Sequence, residues 1–495
     1  MIAQWMQRLE TAALTSDWSG AAAALSALCE LSKKQAARQA LAACDTACVH
    51  AVLRSDEPKA RKNAARLLSA IGTQPDVPAL SEALAREETR FVVPSILLAL
   101  GAIGGRAAEN ALSAYAPPLP ESPEQEKHCA EIQAAYKKAV GRLAPQPAAA
   151  IRSLSEPAPL LLVPPSGFAD VLIDELRTHG AHGEAALGGV RVVERDLGAL
   201  YRCRCLLEAL IPCGEAWQEP AAIAAAAKRG WQCFCPPGEE PALPYRVELR
   251  QYAGDRGAFI RSVVRAVGGT DNPSGYAWEL RVDCLPDQTA RVFVKPCAVN
   301  DQRFAYRKGA LPASIHPVTA AAIARAAKLR CGFGAHARVR VYDPCCGSGT
   351  LLIETGRLFD GAVLMGTDIA PNAVRIAREN TAAAHCRATI LQKDCLRFEA
   401  REPFDLIVAN LPFGNRVGSH ESNEALYRGL IERLPALLAA EGVAVLYTME
   451  GRLLEWCLKA QRALGISDSI RTDAGGLTPR VYFCKHIQSP MRAYK

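Results

Sequence analysis

Asp343-Pro-Cys-Cys-Gly347-Ser-Gly349-Thr350 follows the short apolar run Val339 to Asp343 and precedes Leu351-Leu352-Ile353, so it reads as the turn between a strand and a helix. Glycines at 347 and 349 let the backbone turn tightly and approach a ligand closely. It is neither a dinucleotide fingerprint nor a phosphate loop, because no third glycine falls three residues after Gly349 and no Lys follows it. A diphosphate is therefore not its natural guest, and Asp343 at the strand end favours a cationic or amine-bearing ligand. The same grammar continues outward. Helix Gly349 to Leu358, strand Ala362 to Asp368, helix Pro371 to Ala384, strand Ala388 to Asp394, strand Phe404 to Asn410, helix Asn423 to Ala440 and strand Gly442 to Met449 are expected in turn. That alternation predicts a doubly wound α/β sheet, with ligands at the carboxyl ends of its strands.

Acidic residues stand at those ends. Asp368 closes the second strand 25 residues after Asp343, where a carboxylate can accept both hydroxyls of a ribose. Asp394 closes the third and can accept from an adenine amino group. Three acids at successive strand ends together suit an adenosine carrying a cationic, amine-bearing tail, and S-adenosylmethionine fits that description. The fourth strand ends in Asn410-Leu411-Pro412-Phe413. An amino group conjugated to a ring is a poor nucleophile because its lone pair is delocalised. The amide oxygen of Asn410 and the carbonyl of Leu411 can accept its two N–H groups and align the lone pair. Pro412 stiffens the turn, and Phe413 offers a face on which an extruded base can stack. No strong base is needed, since the product ammonium is acidic enough to lose its proton to water.

The series D-P-C-C-G-S-G-T, G-T-D, K-D-C and N-L-P-F-G resembles the motifs of class I S-adenosylmethionine-dependent methyltransferases, a Rossmann-like fold. The continuation Phe413-Gly414-Asn415-Arg416 resembles the THUMP-linked RNA guanine-N2 methyltransferases, which modify tRNA or large-subunit rRNA. So do the stretches Leu160 to Gly180 and Arg303 to Ile315. The resemblance implies S-adenosylmethionine as cofactor, held by Asp343, Pro344, Cys345, Gly347, Gly349, Thr350, Asp368, Ile369, Asp394, Cys395 and Asn410. It implies catalysis by Asn410, Leu411, Pro412 and Phe413, and RNA contact through Phe413, Arg416, Arg303, Arg307 and Lys308. It also implies a helix from Ile315 to Lys328 capping the cofactor pocket, and an antiparallel strand at Val481 to Lys485. The same acceptor geometry serves DNA amines or protein glutamine side chains, and a cofactor-binding scaffold acting through the N-terminal region is a third reading. The Gly-Asn-Arg continuation and the upstream region favour RNA, and intact Asp343, Asp368 and Asn410 argue against a silent core.

The remaining chain divides by composition. Residues 1–143 are rich in Ala and Leu at helical spacing, and Ala70-Ile71-Gly72 recurs as Ala102-Ile103-Gly104 at an offset of 32 residues. This resembles HEAT-type helical repeats and suggests a protein partner. Ala144 to Pro159, with four prolines, reads as a linker. Residues 160–310 read as an α+β, THUMP-like region, with strands at Leu160 to Val163, Gly189 to Glu194, Tyr245 to Leu249, Trp278 to Val282 and Ala290 to Val294 and a helix at Gly167 to Thr178. Residues 311–495 form the methyltransferase domain of this multidomain chain.

With 495 residues, 49% hydrophobic and 22% charged, the composition is globular. Its longest apolar run, Ile96 to Gly105, is far short of the roughly 20 residues of a membrane span. The first twenty residues show no secretory pattern, so a cytoplasmic protein is expected. Eighteen cysteines without a C-x-x-C pair read as reduced thiols, with no metal site. The net charge of +7 is concentrated: +1 for residues 1–157, zero for 158–310, and +6 for 311–495, where Lys and Arg number 23 against 17 Asp and Glu. A polyanionic substrate is expected at that last segment.

Overall fold

The computed structural model describes residues 2–33, 35–42, 44–118, 120, 122–143, 153–233, 244–269, 272, 275–311, 314–332, 338–412, 420–473 and 476–487. Contacts gather the chain into two units. One holds Met1–Ala150, Ala216–Ala225 and Glu240–Ala290; the other holds Ile151–Glu215, Ala226–Glu239 and Arg291–Lys495.

In the first unit, apolar residues at three- and four-residue spacing give helices Ile2–Leu14, Trp18–Ser32, Pro58–Ile71, Val77–Arg86, Val93–Ile103, Gly105–Ser113 and Pro123–Leu143, among others. Leu25, Leu28, Leu67, Leu68, Leu97 and Leu100 share one buried core. The segments related by the 32-residue offset, Pro58–Ile71 and Val93–Ile103, pack on each other.

The middle of the chain supplies strands β1 (Ser153–Val163), β2 (Glu184–Ala186), β3 (Gly189–Asp196), β4 (Glu208–Trp217), β5 (Tyr245–Arg250), β6 (Trp278–Cys284) and β7 (Thr289–Pro296). β5 pairs in parallel with β6 in the first unit. In the second, β1 lies antiparallel between β3 and β4. The Pro-rich stretch expected as linker is already strand from Ser153. Its register on β3 breaks between Ser153 and Ala158, around Pro157, and β4 joins only from Leu161. The prolines thus lie where few ladder bonds are required of them.

The C-terminal sheet contains β8 (Arg340–Asp343), β9 (Val363–Asp368), β10 (Ala388–Gln392), β11 (Phe404–Asn410), β12 (Leu438–Thr448), β13 (Leu464–Arg471) and β14 (Arg480–His486), in the order β10-β9-β8-β11-β12-β14-β13. β8 to β12 run parallel, while β14 is antiparallel to both β12 and β13. Val341, Tyr342 and Leu406 to Ala409 are fully buried, as expected of strands covered on both faces. The fold here is thus an α/β fold with a mixed, mostly parallel sheet. Strand order reverses between β8 and β11, and the crevice outside their carboxyl ends is where such sheets bind ligands. Asp343 and Asn410 terminate those two strands.

The helix expected at Ile315 to Lys328 forms as Pro317–Cys331, with every residue from Pro317 to Ala327 buried. It packs against helices Thr350–Gly356 and Ala169–Thr178 and strand β12, so it is an inner layer without a wet face.

Candidate cofactor and acceptor site

Gly347 and Gly349 both have left-handed backbone, at φ +52° and +75°, which a side chain would strain. Gly349 N-caps helix Thr350–Gly356, and its N–H donates to the Cys346 carbonyl at 2.7 Å. The loop is fixed from below by hydroxyls. A carbonyl only accepts, so the Thr367 hydroxyl donates to Pro344 O at 3.0 Å and in turn accepts from Tyr342 at 2.8 Å. Asp368 accepts from Gly347 N–H at 2.9 Å on one carboxylate oxygen and from Ala370 N–H at 2.9 Å on the other. Each oxygen keeps a second lone pair for a ligand hydroxyl. Ile369 beside it is 70% exposed, an apolar face at the strand end. Asp394 accepts from Leu396 N–H at 2.9 Å and caps a short turn. Cys395 in that turn packs against Cys345 across the first and third motifs, and its interaction with the Cys345 thiol, followed by burial, pushes that thiol well up.

Asp343 is almost wholly buried, and burial pushes its carboxyl up to about 8, against a lowering by the Cys345 N–H and with a further rise from Asp368. A buried acid so perturbed at a strand end is a candidate functional group. Asn410 ends β11 opposite Tyr447 of β12. Leu411 is buried and donates its N–H to the Tyr447 carbonyl at 3.0 Å, while Pro412 O accepts from the Tyr427 hydroxyl at 3.0 Å. Phe413 and Arg416 lie outside the described residues.

Of the cations expected to meet RNA, Arg303 is otherwise engaged. Its side chain is 6% exposed, paired with Asp301 at 2.7 Å and donating to the carbonyls of Cys203 and Leu206. These bonds consume the guanidinium donors a phosphate would need, so its role here is internal. Arg307 is half-buried beside His316, whose imidazole is pushed down by burial and then by Arg307 and Arg303; Lys308 is exposed.

Several functional-site residues carried no motif. Asn380, fully buried, accepts from the N–H groups of Lys308 and Gly309 at 2.8 and 3.2 Å and donates to the carbonyls of Gly309 and Ser348 at 3.0 and 2.9 Å. It ties the segment at Lys308 and Gly309 to the glycine loop. Its signal was a polar residue on the stripe of Ala373, Ile376 and Ala377, where an apolar one belongs. Glu354, one turn past Thr350, is buried and held bidentately by Arg204 at 2.6 and 2.7 Å and by Tyr306 at 2.7 Å. That network spans 150 residues of sequence and leaves no local signature. Among the described residues there is no metal-ligating cluster.

Comparison with known proteins places this geometry. A family model described as UPF0020, RMKL-like, methyltransferase domain, matches residues 305–469. The tRNA (guanine(6)-N2)-methyltransferase of Thermus thermophilus is 30% identical over 351 residues, 65% of this chain and 97% of that protein. The crystal structure of TrmN from Thermus thermophilus shares the fold, with a TM-score of 0.52 at 24% identity, over 66% of this chain and 99% of that one. A methyltransferase structure complexed with SAH, SMU.472, gives 0.52 at 15% identity, over 68% of this chain and 100% of that one. The chain belongs to the family of S-adenosylmethionine-dependent methyltransferases that includes the Thermus thermophilus tRNA (guanine(6)-N2)-methyltransferase.

Proposed function

We propose that the chain transfers a methyl group from S-adenosylmethionine to the exocyclic N2 of a guanine in tRNA. The observation that carries this is the pairing, at one sheet reversal, of the buried acid Asp343 with the amine-acceptor turn Asn410-Leu411-Pro412, in a chain that covers nearly all of a tRNA guanine-N2 relative. The residues present fit the cofactor. Asp343 supplies a carboxylate for an amine-bearing tail, with Pro344, Cys345, Gly347, Gly349 and Thr350 forming the turn around it. Asp368 faces the ribose, Ile369 offers the base an apolar surface, and Asp394 with Cys395 closes the far side. Bound there, S-adenosylmethionine supplies an electrophilic methyl carbon on a sulfonium.

The chain's own groups do the rest. Asn410 Oδ1 and the Leu411 carbonyl accept the two amine hydrogens, which directs the nitrogen lone pair towards the methyl. They also stabilise the positive charge that develops on nitrogen as the N–C bond forms and the C–S bond breaks. The surplus proton leaves to water. Phe413 stacks the extruded base and Arg416 holds its backbone, while Arg307 and Lys308 meet phosphate, helped by the +6 charge of residues 311–495.

The near-neutral helical repeats are HEAT-like in this reading and serve a protein partner. The enzyme works in the cytoplasm; no helix among the described residues is long and apolar enough to cross a membrane.

The test is transfer of labelled methyl to total RNA, DNA and protein, followed by nucleoside analysis. N2-methylguanosine in the tRNA fraction is expected; label confined to DNA or protein would sink the proposal.

A pH dependence follows from Asp343. The free protein holds this proton up to about pH 8, and seating a cationic amine against the carboxylate releases it. Affinity therefore rises with pH by up to about tenfold per unit below that value and levels off above it. Equilibrium dialysis of labelled cofactor at about pH 6 and 7.5 is expected to show at least a tenfold tightening, reduced to within about twofold in Asp343→Asn. A flat wild-type profile would remove Asp343 from the amine.

A further inference from the structure

The catalytic turn is held by groups outside the motif. Pro412 O can only accept, so the Tyr427 hydroxyl is the donor in their 3.0 Å bond. With its proton spent there, Tyr427 must accept in its 2.5 Å contact with the Thr448 hydroxyl. Thr448 then donates to Tyr427 and accepts from the Glu450 N–H at 2.8 Å. The chain runs in one direction, from Glu450 N–H through Thr448 and Tyr427 to the Pro412 carbonyl. Every hydroxyl in it donates once and accepts once.

Both side chains are fully buried, Tyr427 on helix His420–Leu437 and Thr448 at the end of β12, so bulk water does not compete. Burial also keeps the phenol protonated by pushing its ionisation far up. The Leu411 peptide is thereby gripped on both sides. Its N–H is fixed to the Tyr447 carbonyl, and the next carbonyl along is fixed to Tyr427. The Leu411 carbonyl between these anchors has little freedom to turn.

We infer that Tyr427 and Thr448 are positioning residues for methyl transfer: their hydroxyl chain aims the Leu411 carbonyl at the acceptor amine. The inference rests on the methyl-transfer reading above. A looser chain leaves both ligands bound but the nitrogen lone pair misdirected, and a small displacement of this kind is costly in rate. The loss therefore falls on kcat, with KM for either substrate little changed.

The experiment compares wild type with Tyr427→Phe, Thr448→Val and Thr448→Ser. It measures kcat and KM on tRNA, together with backbone hydrogen exchange over residues 404–412 in the cofactor-bound protein. Tyr427→Phe deletes one oxygen and is expected to lower kcat about 10- to 100-fold, with both KM values within about threefold and faster exchange at Leu411. Thr448→Val behaves similarly but more mildly, and Thr448→Ser, which restores the hydroxyl, recovers most of kcat. Because the chain acts as a unit, the double variant Tyr427→Phe, Thr448→Val is expected to be no slower than Tyr427→Phe alone. A kcat within twofold of wild type in Tyr427→Phe overturns the inference while leaving the methyltransferase reading intact. So does a rise confined to KM. If wild type itself transfers nothing, that reading fails, and unchanged exchange at Leu411 in Tyr427→Phe overturns the hydroxyl chain independently.

Discussion

Asn410→Ala is expected to slow methyl transfer by roughly 10²- to 10³-fold, the range seen when one preorganised polar group is removed from a site of developing charge. Asn410 closes β11 beside β8, whose end carries Asp343, and in the proposed function its amide accepts from the amine there. In the proposed site, alanine removes one of two hydrogen-bond acceptors for the amine. The lone pair then returns to conjugation with the ring, and the ammonium that forms loses its partner. Cofactor affinity is expected to change by less than about tenfold, because the proposed site gives most of that binding to Asp343, Asp368 and Asp394. The paired control is Asp368→Ala, for which weakened cofactor binding is the first defect. Equilibrium dialysis and single-turnover transfer on both variants separate the roles. A loss of cofactor binding in Asn410→Ala as large as its loss of rate would assign the residue to the cofactor instead.

How much of this was legible in the sequence depends on where each residue's partners lie. Strands such as Phe404–Asn410 and helices such as Pro371–Ala383 agree with the expected bounds to within a residue or so, because the strand is a largely apolar run ended by Asn410 and the helix opens at Pro371 with an apolar stripe of Ala373, Ile376 and Ala377. β13 gave no such signal. Its residues Ser467 to Ser469 are exposed on an edge strand, so there is no buried alternation to read. β4 was hidden by Pro212 and Gly214, residues that ordinarily argue against a strand. The helix expected at Ile315 to Lys328 came from resemblance and not from periodicity, because burial of every residue from Pro317 to Ala327 removes the polar face that makes helical periodicity visible.

The site divides in the same way. Asp343, Asp368, Asp394 and Asn410 could be proposed from the sequence because strand order alone places carboxyl ends together. Asn380, Tyr427 and Thr448 act through backbone groups of distant loops, and no residue spacing encodes which carbonyl a buried hydroxyl will reach. Arg303 shows the converse error. A cation in a suggestive motif looked available for phosphate, yet the fold surrounds it with the Cys203 and Leu206 carbonyls and Asp301.

Arg204→Ala is expected to destabilise the C-terminal unit by about 3–5 kcal/mol, the usual cost of breaking one side of a buried ion pair. Glu354 is buried on the helix that begins at the glycine loop, and Arg204 contacts it through Nε and Nη2 while stacking over Phe304 at 4.6 Å. The Arg204 and Cys205 N–H groups are anchored in turn by the buried Glu175 at 2.9 and 2.8 Å. Truncating the arginine leaves the Glu354 carboxylate, among the described residues, with only the Tyr306 hydroxyl, far too little to offset its desolvation. At about 2–4 °C per kcal/mol for a unit of this size, the midpoint of thermal unfolding falls by roughly 10 °C. Glu354→Gln keeps one acceptor oxygen but turns its NH2 towards one of the two guanidinium donors; it loses the bidentate pair yet buries no unpaired carboxylate, and is expected to cost less than Arg204→Ala. Arg204→Met combined with Glu354→Leu and Tyr306→Phe removes every charge and orphaned hydroxyl together, and should recover most of the loss. Calorimetric scans of these variants decide the matter. A fall below about 2 °C in Arg204→Ala would mean that Glu354 takes up a proton or water at little cost. The helix behind the cofactor loop would then be held by its apolar contacts alone.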